Sequence, residues 1–203
     1  MLQGIPIEGR AYSGGWWDWL TPFSVVSGLG VIAGYALLGS TWLIMKTEGE
    51  LRHQAVGLAW ISGIATLTMM GIVSLWTPFL DPVFMQRWLA FPAIFYVAPV
   101  PILVLLAAWS LFSGLRAERS PARDRQPFLS AVALFVLSFV GLGISFYPYI
   151  VPPKVTIWDA AAPDSSLWFL LVGAAVLIPL ILCYTDYAYW VFRGKVREGE
   201  GYH

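Results

Sequence analysis

The chain has 203 residues, of which 58% are hydrophobic and 12% are charged, and its formal net charge is zero. Soluble domains are about 45–50% apolar and about 25% charged, so this composition excludes an ordinary soluble domain and predicts an integral membrane protein. The zero net charge indicates no binding of nucleic acid, and the single cysteine, Cys183, excludes a disulfide, a Cys-cluster zinc site and covalent c-type haem.

The first 45 residues predict an external loop followed by a membrane span. Residues 1–21 are polar, Gly-rich and aromatic, and three tryptophans of the kind found at membrane boundaries lie near their end: Trp16, Trp17 and Trp19. Residues 22–45 contain no charged side chain. They are long enough to cross a hydrocarbon core of about 30 Å at about 1.5 Å per residue.

Gly30 and Gly34 form a GxxxG pair in this first span. Small residues on successive turns let another helix approach closely, so the pair predicts a helix-packing face. The alternative is that glycine is simply frequent in membrane helices.

Four further apolar segments follow, and all five belong to one membrane domain over residues 1–203. They are predicted at about 55–76, 89–114, 127–147 and 167–192, with a polar tail at 193–203. The third segment contains Pro92, Pro99 and Pro101, which remove backbone donors and are expected to kink or break its first half. The fold class is therefore all-α, a polytopic transmembrane helix bundle of about five spans.

The distribution of Lys and Arg predicts the orientation. Nine of the 12 basic residues lie in the loops after spans one, three and five, and three lie on the opposite side: Arg10, Arg87 and Lys154. Cytoplasmic loops carry the excess of basic residues, so the C-terminus is expected in the cytoplasm. Five spans with an external N-terminus suggest that this chain is the later part of a longer protein.

The external loop at 148–166 is rich in proline and contains Lys154, Asp159 and Asp164, which lie near Trp158 in sequence. These side chains are expected to contact a partner's loop or to cap the next helix. Asp164 or Ser165 is the expected N-cap of the fifth span.

No catalytic, cofactor-binding or metal site is predicted. His53 and His203 lie outside the spans, whereas buried haem usually needs His or Met axial ligands within them. Met69 and Met70 could ligate a metal, but methionine in a membrane helix usually serves packing.

Asp186 is the one acidic residue inside a predicted span. Acids within the membrane are costly and suggest a function, here a proton relay or a partner for a basic group. The favoured alternative is that Asp186 is wetted near the cytoplasmic end, or pairs with Arg193 or Lys195.

Five stretches carry a resemblance to a known family. They are GGWWDWLTPFS (14–24), GYALLGSTWLIMKTEGEL (34–51), VSLWTPF (73–79), GLGISFYPYIVPPKVTIWDAAAPDSSLWFLLVG (141–173) and YWVFRGKVREGEGYH (189–203). Together they resemble subunit II of the cytochrome bd-type quinol oxidases, with a tail similar to the cyanide-insensitive branch. The chain resembles the C-terminal portion of that subunit, without its first transmembrane helices.

The resemblance implies a subunit of a quinol-oxidising, dioxygen-reducing complex in the bacterial inner membrane. Haem b and haem d are implied to reside in the partner, subunit I, and this chain is implied to support assembly and stability, with a bound quinone or lipid in some members. It would then scaffold subunit I through the Gly-bearing faces of spans one and four.

Two alternatives remain open. The chain could be half of a proton-coupled secondary transporter that uses the Pro-broken third span and Asp186. It could also be an inactive, truncated subunit.

Overall fold

The computed structural model describes residues 2–4, 6–8, 11–81, 84–85, 88, 91, 94–116, 121–152 and 154–191. Its helices are α1 (Pro22–Lys46), α2 (Gly49–Trp76), α3 (Ile94–Val97), α4 (Pro99–Arg116), α5 (Pro121–Phe146) and α6 (Asp164–Val191), with a 3₁₀ turn at Thr77–Phe79. Five of the helical segments are long and apolar enough to cross a membrane, which confirms the predicted fold class. The predicted tail at 193–203 lies outside the described residues.

Successive spans run in opposite directions and so create two ends of the bundle. We call the end formed by the described residues among 2–21, 77–81 and 147–163 the tryptophan end, and the end formed by residues 46–54, 110–116, 121–126 and 187–191 the arginine end. The tryptophan end contains two antiparallel hairpins that the sequence did not predict. They are β1–β2 (Ile7–Glu8 with Ala11–Tyr12) and β3–β4 (Tyr149–Val151 with Val155–Thr156).

Helix α1 begins where its sequence favours a start. The Thr21 hydroxyl accepts a hydrogen bond from the backbone N–H of Ser24 (3.1 Å), and the Ser24 hydroxyl accepts one from the N–H of Thr21 (2.9 Å). This reciprocal capping satisfies amides that have no partner in the helix, and Pro22 follows at a position that needs no donor.

Two helices begin earlier than predicted. The second span was predicted from about residue 55, whereas α2 already starts at Gly49. Gly49 has a φ of +64°, a conformation that favours glycine, and it turns the chain within the few residues after α1. Helix α5 starts at Pro121 instead of 127, since proline is tolerated in a first turn, and it continues through Pro127.

The third predicted span is interrupted, as its prolines indicated. Helix α3 ends at Val97 and α4 begins at Pro99, because the residue before a proline is disfavoured in helical geometry. The described part of this span is therefore α4 together with the short α3, while residues 89–90 and 92–93 lie outside the description.

The expected N-cap of the fifth span is wrong. Helix α6 starts at Asp164, so both Asp164 and Ser165 are inside its first turn. The carbonyl oxygen of Pro163 accepts bonds from the N–H groups of Ser166 and Leu167, and the chain enters the helix there.

The core lies between α1, α2, α4 and α5. It consists of eight buried apolar side chains: Leu37, Ile44, Ala55, Ala59, Leu111, Leu115, Ala131 and Leu134. Buried hydroxyls next to it bond to carbonyls one turn earlier, as Thr41 does to Leu37 (2.7 Å) and Thr66 to Ser62 (2.7 Å). Small residues and internally satisfied hydroxyls allow close helix packing without unpaired polar groups.

Candidate functional site

A large open cavity lies at the tryptophan end, between α1, α2, α5 and the segment that precedes α1. Its volume is about 1680 Å³, above the range of about 300–1,000 Å³ that is common for small-ligand sites. The lining contributed by the helices is mostly apolar and includes Val31, Met69, Met70, Val73, Leu134, Phe135, Phe139 and Leu142. The cavity therefore fits a long apolar molecule better than a compact polar one.

The mouth of the cavity has polar side chains held in a fixed arrangement. The Thr21 hydroxyl donates to the Gln3 side-chain oxygen at 2.6 Å, which attaches the N-terminal segment to the start of α1. The Ser24 hydroxyl donates to the carbonyl oxygen of Trp19 at 2.6 Å. All four residues line the cavity.

Asp18 organises the turn that carries the tryptophans. Its Oδ2 accepts hydrogen bonds from the Gly15 N–H at 2.8 Å and from the Tyr12 hydroxyl at 3.0 Å. Partial desolvation of the phenol raises the pKa of Tyr12, and the hydrogen bond to the Asp18 carboxylate raises it further. Asp18 had no role in the sequence analysis; its position in the WWDW motif is the signal that could have suggested a turn.

Gly30 and Gly34 lie in the cavity wall and face helices of this chain. A Cβ atom on Gly30 would lie 3.1 Å from Cβ of Met69 on α2. One on Gly34 would lie 2.8 Å from Cζ of Phe135 on α5. Gly34 is buried, so the expectation that this position scaffolds another subunit is wrong, because α5 of the same chain already occupies that face.

The other sequence-predicted residues lie away from the cavity. Asp159 forms a local turn, in which its Oδ2 accepts from the Thr156 hydroxyl (2.6 Å) and the Thr156 N–H (3.1 Å). These bonds lower the pKa of Asp159 below 3.8. Trp158 is exposed, with its ring 6.3 Å from that of Tyr147. Asp186 is exposed on α6.

The described lining of the cavity does not fit a haem. Met69 and Met70 supply thioethers, and the Met70 sulfur accepts from the Ser138 hydroxyl at 3.7 Å. His53, the histidine within the described residues, is exposed near the start of α2 and does not line the cavity. The imidazole that haem proteins commonly provide is thus not contributed by this lining.

The arginine end contains polar contacts that the sequence analysis missed. An Arg52 guanidinium nitrogen lies 2.7 Å from Oδ1 of Asp124, whose side chain is only 3% exposed. Beside this pair, the Gln126 amide donates to the Ser110 carbonyl (2.9 Å) and the Ser113 hydroxyl (3.0 Å). These contacts join the first turns of α5 to α2 and α4. An acid in a run of arginines was the available signal for the Arg52–Asp124 pair.

Comparison with known proteins finds distant relatives that are each described as subunit 2 of a cytochrome oxidase. The chain is 23% identical to cytochrome bd-I ubiquinol oxidase subunit 2 of Escherichia coli, with 98% of this chain and 61% of the relative covered. It is 21% identical to the probable cytochrome oxidase subunit 2 of Haemophilus influenzae, over 97% and 60% of the two chains. It is 20% identical to cytochrome bd ubiquinol oxidase subunit 2 of Bacillus subtilis, over 98% and 58%.

The chain thus spans about three-fifths of the length of these curated relatives. The family profile described as cytochrome bd terminal oxidase subunit II matches residues 1–192. That match includes all five apolar spans and the three segments that form the tryptophan end. The chain therefore belongs to the cytochrome bd terminal oxidase subunit II family.

Proposed function

We propose that this chain acts as subunit II of a terminal quinol oxidase, which couples quinol oxidation to the reduction of dioxygen to water. The observation that carries the proposal is the family match over residues 1–192. The chain's own role is to stabilise a larger subunit I in the bacterial inner membrane. Haem b and haem d of that subunit supply the electron transfer and the oxygen chemistry.

The residues of this chain support that role by making a rigid bundle. The Arg52–Asp124 pair and the Gln126 contacts fix the arginine end, while Gly34 lets α1 and α5 approach closely. In the proposed orientation the arginine end lies in the cytoplasm, in accord with the distribution of basic residues.

We further infer that the cavity takes the apolar part of a membrane amphiphile, either a quinone or a lipid. The apolar lining suits its tail, and the polar side chains of Gln3, Thr21 and Ser24 in the same lining suit its head. Solvent extraction of the purified complex is expected to recover such a molecule. A Ser138→Trp variant, which places a large ring in the cavity, is expected to lower the amount, while Leu105→Trp on the exposed side of α4 leaves it unchanged.

The first test of the oxidase role is a reduced-minus-oxidised absorbance spectrum. The protein is tagged after His203 in its own organism, solubilised gently and purified. The expected result is co-elution of a larger subunit with the absorbance bands of b-type and d-type haem. A preparation with the larger subunit missing and no haem absorbance would contradict the proposal.

The transporter alternative is not favoured. The interrupted third span suits it, but the acid that it needs, Asp186, does not line the cavity.

A further inference from the structure

The described lining of the cavity has few side-chain donors that are still free to bind a ligand. Every hydroxyl in that lining already donates its hydrogen to an oxygen of this chain, as the Ser27 hydroxyl does to the carbonyl oxygen of Phe23 at 2.8 Å. The other hydroxyls engaged in this way belong to Tyr12, Thr21, Ser24, Thr66 and Ser138. The side-chain donors that remain in the described lining are the carboxamide of Gln3 and the indoles of Trp16, Trp17 and Trp19.

The Gln3 carboxamide is held so that its nitrogen stays available. Its Oε1 lies 2.6 Å from Oγ1 of Thr21, a distance usual for O–H···O hydrogen bonds and shorter than the N–H···O distance of about 2.9–3.0 Å. The oxygen of the carboxamide therefore faces Thr21. The nitrogen keeps two N–H groups, and no described residue accepts a hydrogen bond from them.

The backbone beside Gln3 is also held in place. Gly4 has a φ of +73°, a conformation that favours glycine. A Cβ atom on Gly4 would lie 3.4 Å from the carbonyl oxygen of Pro152, so this segment lies against the β3–β4 hairpin. The carboxamide is thus fixed before a ligand enters, which lowers the entropy that binding would cost.

The charge of the lining disfavours an anionic head. Asp18 is the one charged side chain among the described residues of the lining, which include no Lys, Arg or His. A head with a net negative charge would enter beside a carboxylate and without a cation from this lining. A neutral carbonyl oxygen avoids that repulsion and accepts the hydrogen bond that Gln3 can give. The three tryptophans are largely exposed and suit the membrane boundary.

We propose that Gln3 binds the head of the amphiphile in the cavity, and that this head is a neutral carbonyl group. The Gln3 nitrogen donates to the carbonyl oxygen, while the tail lies along the apolar side chains of α1, α2 and α5. A quinone ring offers such an oxygen, and so do the ester groups of a lipid without net charge. This inference rests on the proposed function and deepens it, because it takes the amphiphile proposed there as the ligand.

The first experiment identifies the source of the carbonyl. Native mass spectrometry of the purified complex releases the 22.5 kDa chain together with what it binds. The added mass is expected to equal either the quinone of the organism or a lipid without net charge, and it distinguishes the two. An anionic lipid as the added mass would contradict the selection by charge. A wild-type chain without added mass would contradict an occupied cavity.

Gln3→Glu tests the role of the carboxamide. The new carboxylate keeps an oxygen for Thr21 but places an acceptor where the free N–H groups were. The complex is washed with detergent, a decyl-substituted benzoquinone is added as the probe, and its binding is read from the added mass. Binding is expected to weaken about fivefold, the effect of one net hydrogen bond. Gln54→Glu, the same change at an exposed position away from the cavity, is expected to leave binding unchanged; equal binding in both variants would overturn the assignment.

Infrared spectra provide a readout that a purely structural role of Gln3 would not change. A hydrogen bond lowers the stretching frequency of a carbonyl group, so the spectrum of wild type minus that of Gln3→Glu is expected to show a lowered carbonyl band of an isotope-labelled probe. If Gln3→Glu does not assemble, Gln3→Asn, which shortens the reach of the amide, replaces it and is expected to lose the same band. A difference spectrum without that band would overturn the proposal.

The haem absorbance of the same samples separates this inference from the oxidase role. Haem and the larger subunit, present together with probe binding that does not depend on Gln3, would contradict the assignment of Gln3 and leave the proposed function intact. Loss of the larger subunit and of haem from the wild-type preparation would contradict the function itself.

Discussion

At the scale of single residues, the fit of α1 against α5 depends on the absence of a side chain at position 34. Phe135 occupies the space that a Cβ atom there would need, and its ring also lies 5.7 Å from that of Tyr35. Gly39, one and a half turns further along α1, has open space around it. Gly34 and Gly39 thus lie on the same helix, but only Gly34 is packed against a side chain of another helix.

This difference predicts opposite results for one substitution. Gly34→Leu is expected to lower the free energy of unfolding by about 2 kcal/mol, because overpacking displaces Phe135. Gly39→Leu is expected to be neutral or stabilising by up to about 1 kcal/mol, because leucine favours the helix more than glycine. Unfolding in mixed micelles measures both. Adding Phe135→Ala to the Gly34→Leu variant is expected to restore part of the lost free energy of unfolding. If it restores none, the assigned clash with Phe135 is wrong.

Asp159 gives a prediction for pH dependence. Its pKa is lowered by the bonds from Thr156. The folded turn therefore favours the ionised carboxylate, and its stabilisation is present above the ordinary carboxyl pKa of 3.8 and lost as the pH falls through the lower folded value. NMR titration of the Asp159 carboxyl carbon is expected to give a pKa below 3.8, and Thr156→Val is expected to raise it. An unchanged value in that variant would refute the cause assigned here.

At the scale of elements, the Arg52–Asp124 pair gives the charged start of α2 a packed partner on α5. The second span was predicted to begin only at about 55, because the residues just before it include charged side chains. The structure places Arg52 against a carboxylate 72 residues away in sequence. A partner at that distance cannot be read from local patterns, so the start of α2 was predicted too late.

Removing one member of this pair is expected to be costly. Arg52→Ala removes the guanidinium that lies 2.7 Å from the buried Asp124 carboxylate, and the free energy of unfolding should fall by about 2 kcal/mol, as for other hydrogen bonds to charged groups. Arg125→Ala, at an exposed position on the same helix as Asp124, should change it by less than about 0.5 kcal/mol. The comparison uses unfolding in the same micelles. Equal effects of the two substitutions would mean that the pair contributes little.

At the scale of the whole molecule, composition and hydropathy were sufficient for the number of spans and the fold class. The break before Pro99 also followed from its neighbours in sequence. The cavity and the helices that Gly30 and Gly34 face could not be predicted from the sequence, because both depend on which helices become neighbours. The lengths of the spans predict that each helix crosses the membrane, but they do not predict which faces of two helices pack together.

The orientation of the bundle can be checked by labelling. In a Cys183→Ser background, Lys154→Cys at the tryptophan end is expected to react with a membrane-impermeant maleimide on intact cells. Arg125→Cys at the arginine end is expected to react only after permeabilisation. The reason is that basic residues are retained on the cytoplasmic side. The reverse pattern would show that the bundle has the opposite orientation.

The position of the core between α1, α2, α4 and α5 has a consequence for the order of biosynthesis. All the buried residues of the apolar core lie before position 135, so the packed helices can close while the ribosome is still translating the last span. Helix α6 would then enter the bilayer beside an already folded unit. A chain truncated after residue 163 and released into membranes should already resist proteolysis around Arg52 and Asp124; sensitivity there would mean that the last helix is needed for closure.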